Sequence, residues 1–193
     1  KFFQPTYHWI LAFGSSFFYM FTSKKMVVIG ITGTKGKTST INFMWSCLMA
    51  GGYKTGIIST ANIRIGDREE LNSYHMTMPG RFEMHRLMSD MVKAGCKYCI
   101  IETTSEGIKQ SRHIGINYDT LIFTNLFPEH LSSHGGSFDK YKETKAEVFK
   151  NLFNSKRKQI LGINDRINGK KVEKIIIANN DSEHANYFLQ YSA

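Results

Sequence analysis

Met26-Val27-Val28-Ile29-Gly30-Ile31-Thr32-Gly33-Thr34-Lys35-Gly36-Lys37-Thr38-Ser39 opens as a β-branched apolar run and closes as a glycine-rich loop. Met26–Thr32 has the composition of a strand buried on both faces. Lys37–Ala50 continues as a helix with Ile41, Trp45 and Leu48 on one face, ended by Gly51-Gly52. A buried strand feeding a helix through Gly30, Gly33 and Gly36 lets backbone N–H groups turn toward one point. Such a turn cradles phosphate oxygens at the helix N-terminus. Lys37 would reach the outer phosphates, and the Thr38 hydroxyl would sit on Mg²⁺. The spacing is not the general G-x-x-x-x-G-K-[ST], which would require Gly where Ile31 stands. By itself the loop implies a bound nucleoside triphosphate and no more.

Outward from this unit, apolar runs keep alternating with helical patterns. Gly56–Thr60, Ile63–Ile65, Tyr98–Glu102, Thr120–Asn125 and Lys174–Asn179 read as further strands. Pro79 opens a helix that closes at Gly95, with Phe82, Leu87, Met88, Met91 and Val92 on its apolar side. Ser137–Phe153 reads as a helix with Tyr141, Val148 and Phe149 inward. Strands separated by helices of this length mean βαβ units, so the fold class is α/β: a mostly parallel sheet flanked by helices. Residues 1–25 are expected to form a linker with a packing helix, and residues 26–193 the nucleotide-binding domain. Trp9–Phe21 is apolar but too short for the ~20 residues of a spanning helix, and Lys24 and Lys25 follow it rather than precede it. It is expected to pack on the domain, without stable membrane insertion.

A chain of 193 residues with 41% hydrophobic content buries a real core, which excludes a disordered polar chain or a disulfide scaffold. Three cysteines, an odd number, fit a reducing, cytoplasmic compartment. Cys96 and Cys99 form C-x-x-C without a second pair, at a strand entry where their side chains should point to opposite faces. The net charge of +9 permits an anionic partner without selecting one. Lys156, Arg157, Lys158, Arg166, Lys170, Lys171 and Lys174 are not interleaved with aromatics, and Asn168-Gly169 suggests a hairpin turn. That stretch reads as solvated, and no nucleic-acid partner is expected. His8, His75, His85, His113 and His184 read as surface or packing residues.

The T-G-T-x-G-K-T-[ST] form of the loop resembles the Mur ligases, the ATP-dependent amide ligases of peptidoglycan synthesis, and folylpolyglutamate synthetase shares it. Later segments narrow the resemblance to the muramoyl-tripeptide branch. His75-Met76-Thr77-Met78-Pro79 is similar to its T-T-P segment, Glu102-Thr103-Thr104-Ser105-Glu106 to E-x-S-S-H, and Gln110-Ser111-Arg112 to Q-x-R. Phe123 through Gly135 resembles F-T-N-L-x-x-D-H-L-D-x-H-G, Tyr141 through Phe149 resembles Y-x-x-x-K-x-x-L-F, and Asn179-Asn180-Asp181-Ser182 resembles N-x-D-D. Met78, Glu106 and Glu129 depart from the pattern. The match covers most of the central domain. The domains that hold the UDP end and the incoming amino acid have no counterpart here, so a fragment or a partner chain is expected.

The resemblance implies an enzyme with a defined site. ATP would lie on Gly33, Thr34, Lys35, Gly36, Lys37, Thr38, Ser39 and Asn125. Thr77, Thr104, Gln110 and Arg112 would contact a UDP-muramoyl peptide, and Lys37, Glu102, His130 and Lys145 would be catalytic. Two Mg²⁺ sites would use Thr38, Glu102, His130 and Lys145, with Lys145 as a carbamate. The residues agree on that last point. Lys145 shares a helix face with Tyr141 and Phe149, burial would favour its neutral amine, and a neutral amine reacts with CO₂. The bland alternative is a lysine that snorkels to solvent beside Glu143 and Glu147. The competing functional readings are a folylpolyglutamate-type ligase and a non-catalytic nucleotide-binding module.

Overall fold

The computed structural model describes residues 14–129, 131–160, 169 and 171–192. Seven strands form one sheet: β1 (Val27–Thr32), β2 (Thr55–Ile58), β3 (Asn62–Ile65), β4 (Arg68–Leu71), β5 (Tyr98–Glu102), β6 (Thr120–Phe123) and β7 (Ile175–Ala178). Their order is β4-β3-β2-β5-β1-β6-β7, with β2, β5, β1, β6 and β7 parallel and β3 and β4 antiparallel additions at one edge. The helices are α1 (Lys37–Ala50), α2 (Arg81–Lys93), α3 (Ser105–Lys109), α4 (Phe138–Leu152) and α5 (Ala185–Leu189).

The period-2 alternation of β1 divides the core into two layers. Val27, Ile29 and Ile31 pack with Ile41 of α1, Ile57, Ile100 and Ile160, while Val28 joins the larger layer under α2, α4 and α5. Each fully buried aliphatic side chain contributes about 1.5–3 kcal/mol, and together they fix the register. That register pairs Ile31 with Glu102 on one side and Thr32 with Phe123 on the other. The glycine loop, Glu102 and the Thr124–Asn125 segment therefore leave the sheet at the same end, where parallel α/β sheets place ligands.

Several local expectations are corrected. Arg68–Leu71 is a fully exposed edge strand that its charged residues concealed. Phe82, expected inward, is 49% exposed; Met84 and His85 are buried instead. Cys96 and Cys99 share one apolar cluster, because Cys96 lies ahead of β5 rather than in it, and burial pushes both thiols up. Of Trp9–Phe21, residues 14–21 are described. The helical residues there, 14–18, dock through buried Ser15 and Ser16, with Ser16 Oγ donating to the Gly115 carbonyl at 3.1 Å, while Phe17, Phe18 and Met20 stay exposed. No helix among the described residues is long and apolar enough to cross a membrane.

The largest correction concerns the basic stretch. Gln159 and Lys171 form an antiparallel bridge near Gly169, as a hairpin would; Asn168, Arg166 and Lys170 lie outside the described residues. Lys158 and Lys174 are not solvated. Both are buried and both bond the carboxylate of fully buried Asp119. Lys158 Nζ also donates to the Met26 carbonyl at 2.9 Å, and the Val28 N–H donates to Asp119 at 2.9 Å.

Candidate active site

The glycine loop is pinned from two sides. Lys35 N–H donates to Asn125 Oδ1 at 2.9 Å and Asn125 Nδ2 returns a bond to the Lys35 carbonyl at 3.1 Å. Thr34 N–H donates to the Asn125 carbonyl at 2.9 Å, and its Oγ1 lies 3.3 Å from the Tyr141 hydroxyl of α4. At Gly33 a Cβ would fall 2.0 Å from Thr124 Oγ1, so only glycine lets the loop close on β6. Asn125 thus shapes the loop as well as standing beside it. Gly36, at φ 79°, caps α1 without a side-chain bond. The first amides of α1 are therefore open to an anion, which fits phosphate. Lys35, Gly36 and Ser39 are exposed at this end, and Lys37 and Thr38 half-buried.

One carboxylate and two lysines stand behind the loop. Glu102, at the end of β5, is buried; its Oε2 accepts from Thr38 Oγ1 at 3.0 Å and from Thr60 N–H at 2.9 Å. Lys37 Nζ lies 4.0 Å from Glu102 Oε1 and donates to the Thr34 carbonyl at 2.9 Å. Burial pulls the Lys37 amine below its ordinary range, while Glu102 and Glu129 oppose the shift. Lys145 is 2% exposed, so it does not snorkel. Its Nζ donates to the Gly33 carbonyl at 3.0 Å and sits 4.6 Å from the centre of the Tyr141 ring. Burial, with Lys37 nearby as a second cause, lowers its pKa to about 7. Glu102 and the Thr38 hydroxyl supply hard oxygen atoms suited to Mg²⁺. His130, the remaining expected ligand, lies outside the described residues.

Beside this centre runs a cleft of about 410 Å³ that brings Thr77, Thr104, Gln110 and Arg112 together. Arg112 is held by the Met78 carbonyl and by Gln110 Oε1, which aims its guanidinium along the cleft. Thr104 caps α3 by accepting from Gly107 N–H at 3.1 Å. Met78 is a core residue at 1% exposure; a Cβ on Gly107 would meet its sulfur at 2.3 Å. Its departure from T-T-P is thus matched by close packing against α3. Ser105 lines the cleft, and its Oγ lies 3.2 Å from Nε2 of buried His134.

Residues 31–192 match the family model described as the Mur ligase middle domain. The chain belongs to the Mur ligase family. It is 35% identical over 174 residues to a UDP-N-acetylmuramyl-tripeptide synthetase of Roseiflexus sp. (strain RS-1), covering 89% of this chain and 32% of that protein. A UDP-N-acetylmuramoyl-L-alanyl-D-glutamate–2,6-diaminopimelate ligase of Clostridium acetobutylicum is 41% identical over 157 residues, 81% of this chain and 31% of its own length. The chain therefore spans about a third of these Mur ligase relatives. Among solved structures, a UDP-N-acetylmuramoyl-L-alanyl-D-glutamate–2,6-diaminopimelate ligase aligns with a TM-score of 0.66 at 20% identity, covering 86% of this chain and 29% of that one. A Mycobacterium tuberculosis folylpolyglutamate synthase complexed with ADP aligns at 0.65 and 15%, covering 97% and 44%.

Two features of this Mur ligase domain escaped sequence reasoning. Thr60 contacts Glu102 through its backbone, and a backbone contact leaves no side-chain signature in a sequence. The Asp119 cluster lay hidden inside a stretch whose charges looked like a solvated face.

Proposed function

We propose that the protein carrying this chain is an ATP-dependent carboxylate–amine ligase that extends a UDP-muramoyl peptide by one amino acid in peptidoglycan synthesis. The observation that carries this reading is the convergence, at one end of the sheet, of an uncapped helix N-terminus, the Lys37–Lys145–Glu102 cluster and a cleft holding Arg112. A carboxylate must meet a polyanion there, so the problem is charge neutralisation and positioning. Gly33–Ser39 hold the ATP phosphates and Lys37 neutralises the outer ones. Arg112 orients an anionic group of the acceptor, with Thr77, Thr104 and Gln110 bonding its polar edges. The acceptor carboxylate attacks the γ-phosphorus, ADP leaves, and the amine of the incoming amino acid displaces phosphate from the acyl phosphate. Thr38, Glu102, His130 and Lys145 would hold two Mg²⁺ ions, which when bound offset charge between carboxylate and phosphate. Lys145 serves as a carbamate: its neutral amine adds CO₂ and loses a proton, turning a cation into an oxygen ligand. The soluble, UDP-linked substrate places the reaction in the cytoplasm.

A folylpolyglutamate-type ligase is the second reading, favoured by the similar fit to folylpolyglutamate synthase. The Thr77 and Gln110–Arg112 cleft, together with the names of the relatives, supports the muramoyl substrate. ADP release by the full-length protein, assayed with UDP-muramoyl dipeptide or with a folate, each with an amino acid, separates the two. Turnover on folate alone would overturn the first.

A further inference from the structure

The turn between β2 and β3 touches both halves of the site. Its tip is Thr60, whose N–H donates to Glu102 Oε2 at 2.9 Å and whose Oγ1 lies 2.8 Å from Thr77 Oγ1. The same carboxylate oxygen accepts from Thr38 Oγ1 at 3.0 Å. One hydrogen-bonded series, Thr38–Glu102–Thr60–Thr77, thus runs from the start of α1 to the wall of the cleft. The tip is not a free loop. Ser59 N–H bonds the Asn62 carbonyl at 3.0 Å, Ser59 Oγ bonds Asn62 Oδ1 at 2.8 Å, and Asn72 Nδ2 holds the Ser59 carbonyl at 2.7 Å. Two hydroxyls in contact use one hydrogen between them and keep one for a third partner. Thr60 is exposed, so that partner can come from solvent or from a ligand in the cleft. An anionic oxygen suits the role, because a carboxylate accepts and never donates.

We infer that Thr60 is a positioning residue: it sets Thr77, and through it the reacting carboxylate of the acceptor, at a fixed place relative to Glu102. This rests on the ligase reading for the identity of the acceptor, but not for the link itself. A shift of the tip moves the Glu102 oxygen and the Thr77 hydroxyl together, so events at the phosphate loop are felt in the cleft. The coupling runs through one backbone bond and one hydroxyl bond, and the hydroxyl bond can be cut separately from the nucleotide contacts.

Two variants of the full-length protein test it. Thr60→Val keeps the branched shape and the N–H but removes the hydroxyl, whereas Thr60→Ser keeps the hydroxyl. Thr60→Val is expected to lower kcat/KM for UDP-muramoyl dipeptide by about tenfold or more while the KM for ATP stays within about twofold. Thr60→Ser should recover most of the loss. Wild-type constants in Thr60→Val, or an equal loss in both variants, would overturn the role of the hydroxyl. A second measurement does not need the acceptor: ADP with Mg²⁺ should slow amide exchange at residues 75–78 in the wild type and fail to do so in Thr60→Val. Equal slowing in both proteins would refute the coupling. Should the wild type form no amide while the exchange result holds, the ligase reading fails and the Thr60 link stands.

Discussion

The two ends of the sheet each set two lysines around one buried carboxylate, and they do so to opposite effect. At the N-terminal end of the parallel strands, Lys158 and Lys174 both bond Asp119, whose carboxylate also accepts from Val28 N–H. The spare donors reach the carbonyls of Met26 and Tyr118. At the other end neither lysine makes a close bond to Glu102; Lys37 stays 4.0 Å away and Lys145 Nζ donates to the Gly33 carbonyl instead. The lysines are saturated by their carboxylate at one end and left without a close carboxylate bond at the other. A saturated cluster holds the chain together, in this case β7 and the segment around Lys158 to the middle of the sheet. An unsaturated one attracts an anion.

The contrast predicts where mutations act. Asp119→Ala strands two buried cations and should cost about 3–5 kcal/mol in urea unfolding. A loss below about 1 kcal/mol would erase the distinction between the two ends. Lys37→Ala should leave the fold in place and weaken ATP–Mg²⁺ binding by at least about a hundredfold, close to 2.7 kcal/mol, in calorimetry. Equal affinity in variant and wild type would mean that the open end is not the nucleotide site. Lys145→Ala in the full-length protein should abolish ligation while nucleotide binding persists, and bicarbonate should raise wild-type activity. Near-normal ligation by this variant would remove the carbamate from the mechanism.

Both ends also carry a pH dependence of the same sign, wider at Lys145 than at Lys158. The ordinary lysine value is 10.5, whereas Lys145 in the fold sits at about 7. Between those values the unfolded chain holds the extra proton, so the term contributed by Lys145 rises with pH from about 7 and levels off near 10.5. Below about 7 both states are protonated and the term does not change. Lys158, at about 8, adds a narrower window of the same sign. Thermal melts from pH 6.5 to 9.5 should show a stability gain that Lys145→Met flattens, and an unchanged slope in that variant would count against the burial of this amine.

How much of this was legible depended on whether function and local pattern coincided. Glycines, a β-branched run and a helical face all pointed to the β1–loop–α1 unit, and Lys145 could be placed inward from Tyr141 and Phe149 alone. Glu102 followed from the end of an apolar strand. By contrast, Lys158 and Lys174 are 16 residues apart in a basic stretch, and Asp119 is nearly 40 residues before the first of them. No local period links the three. Arg68–Leu71 carries three charges in four residues because an edge strand with solvent on both faces needs no apolar alternation.

That edge strand has a counterpart with a practical consequence. β4 closes one side of the sheet with Arg68, Glu69 and Glu70, charges that discourage another chain from adding a strand. β7 lies at the opposite edge with Ile175 at 46% and Ile177 at 48% exposure and no charge among its four residues. Among the described residues, the sheet has one repellent border and one adhesive border. The protein's colloidal behaviour should be directional: self-association proceeds through β7, grows with salt as the +9 charge is screened, and is suppressed by a single lysine at position 177.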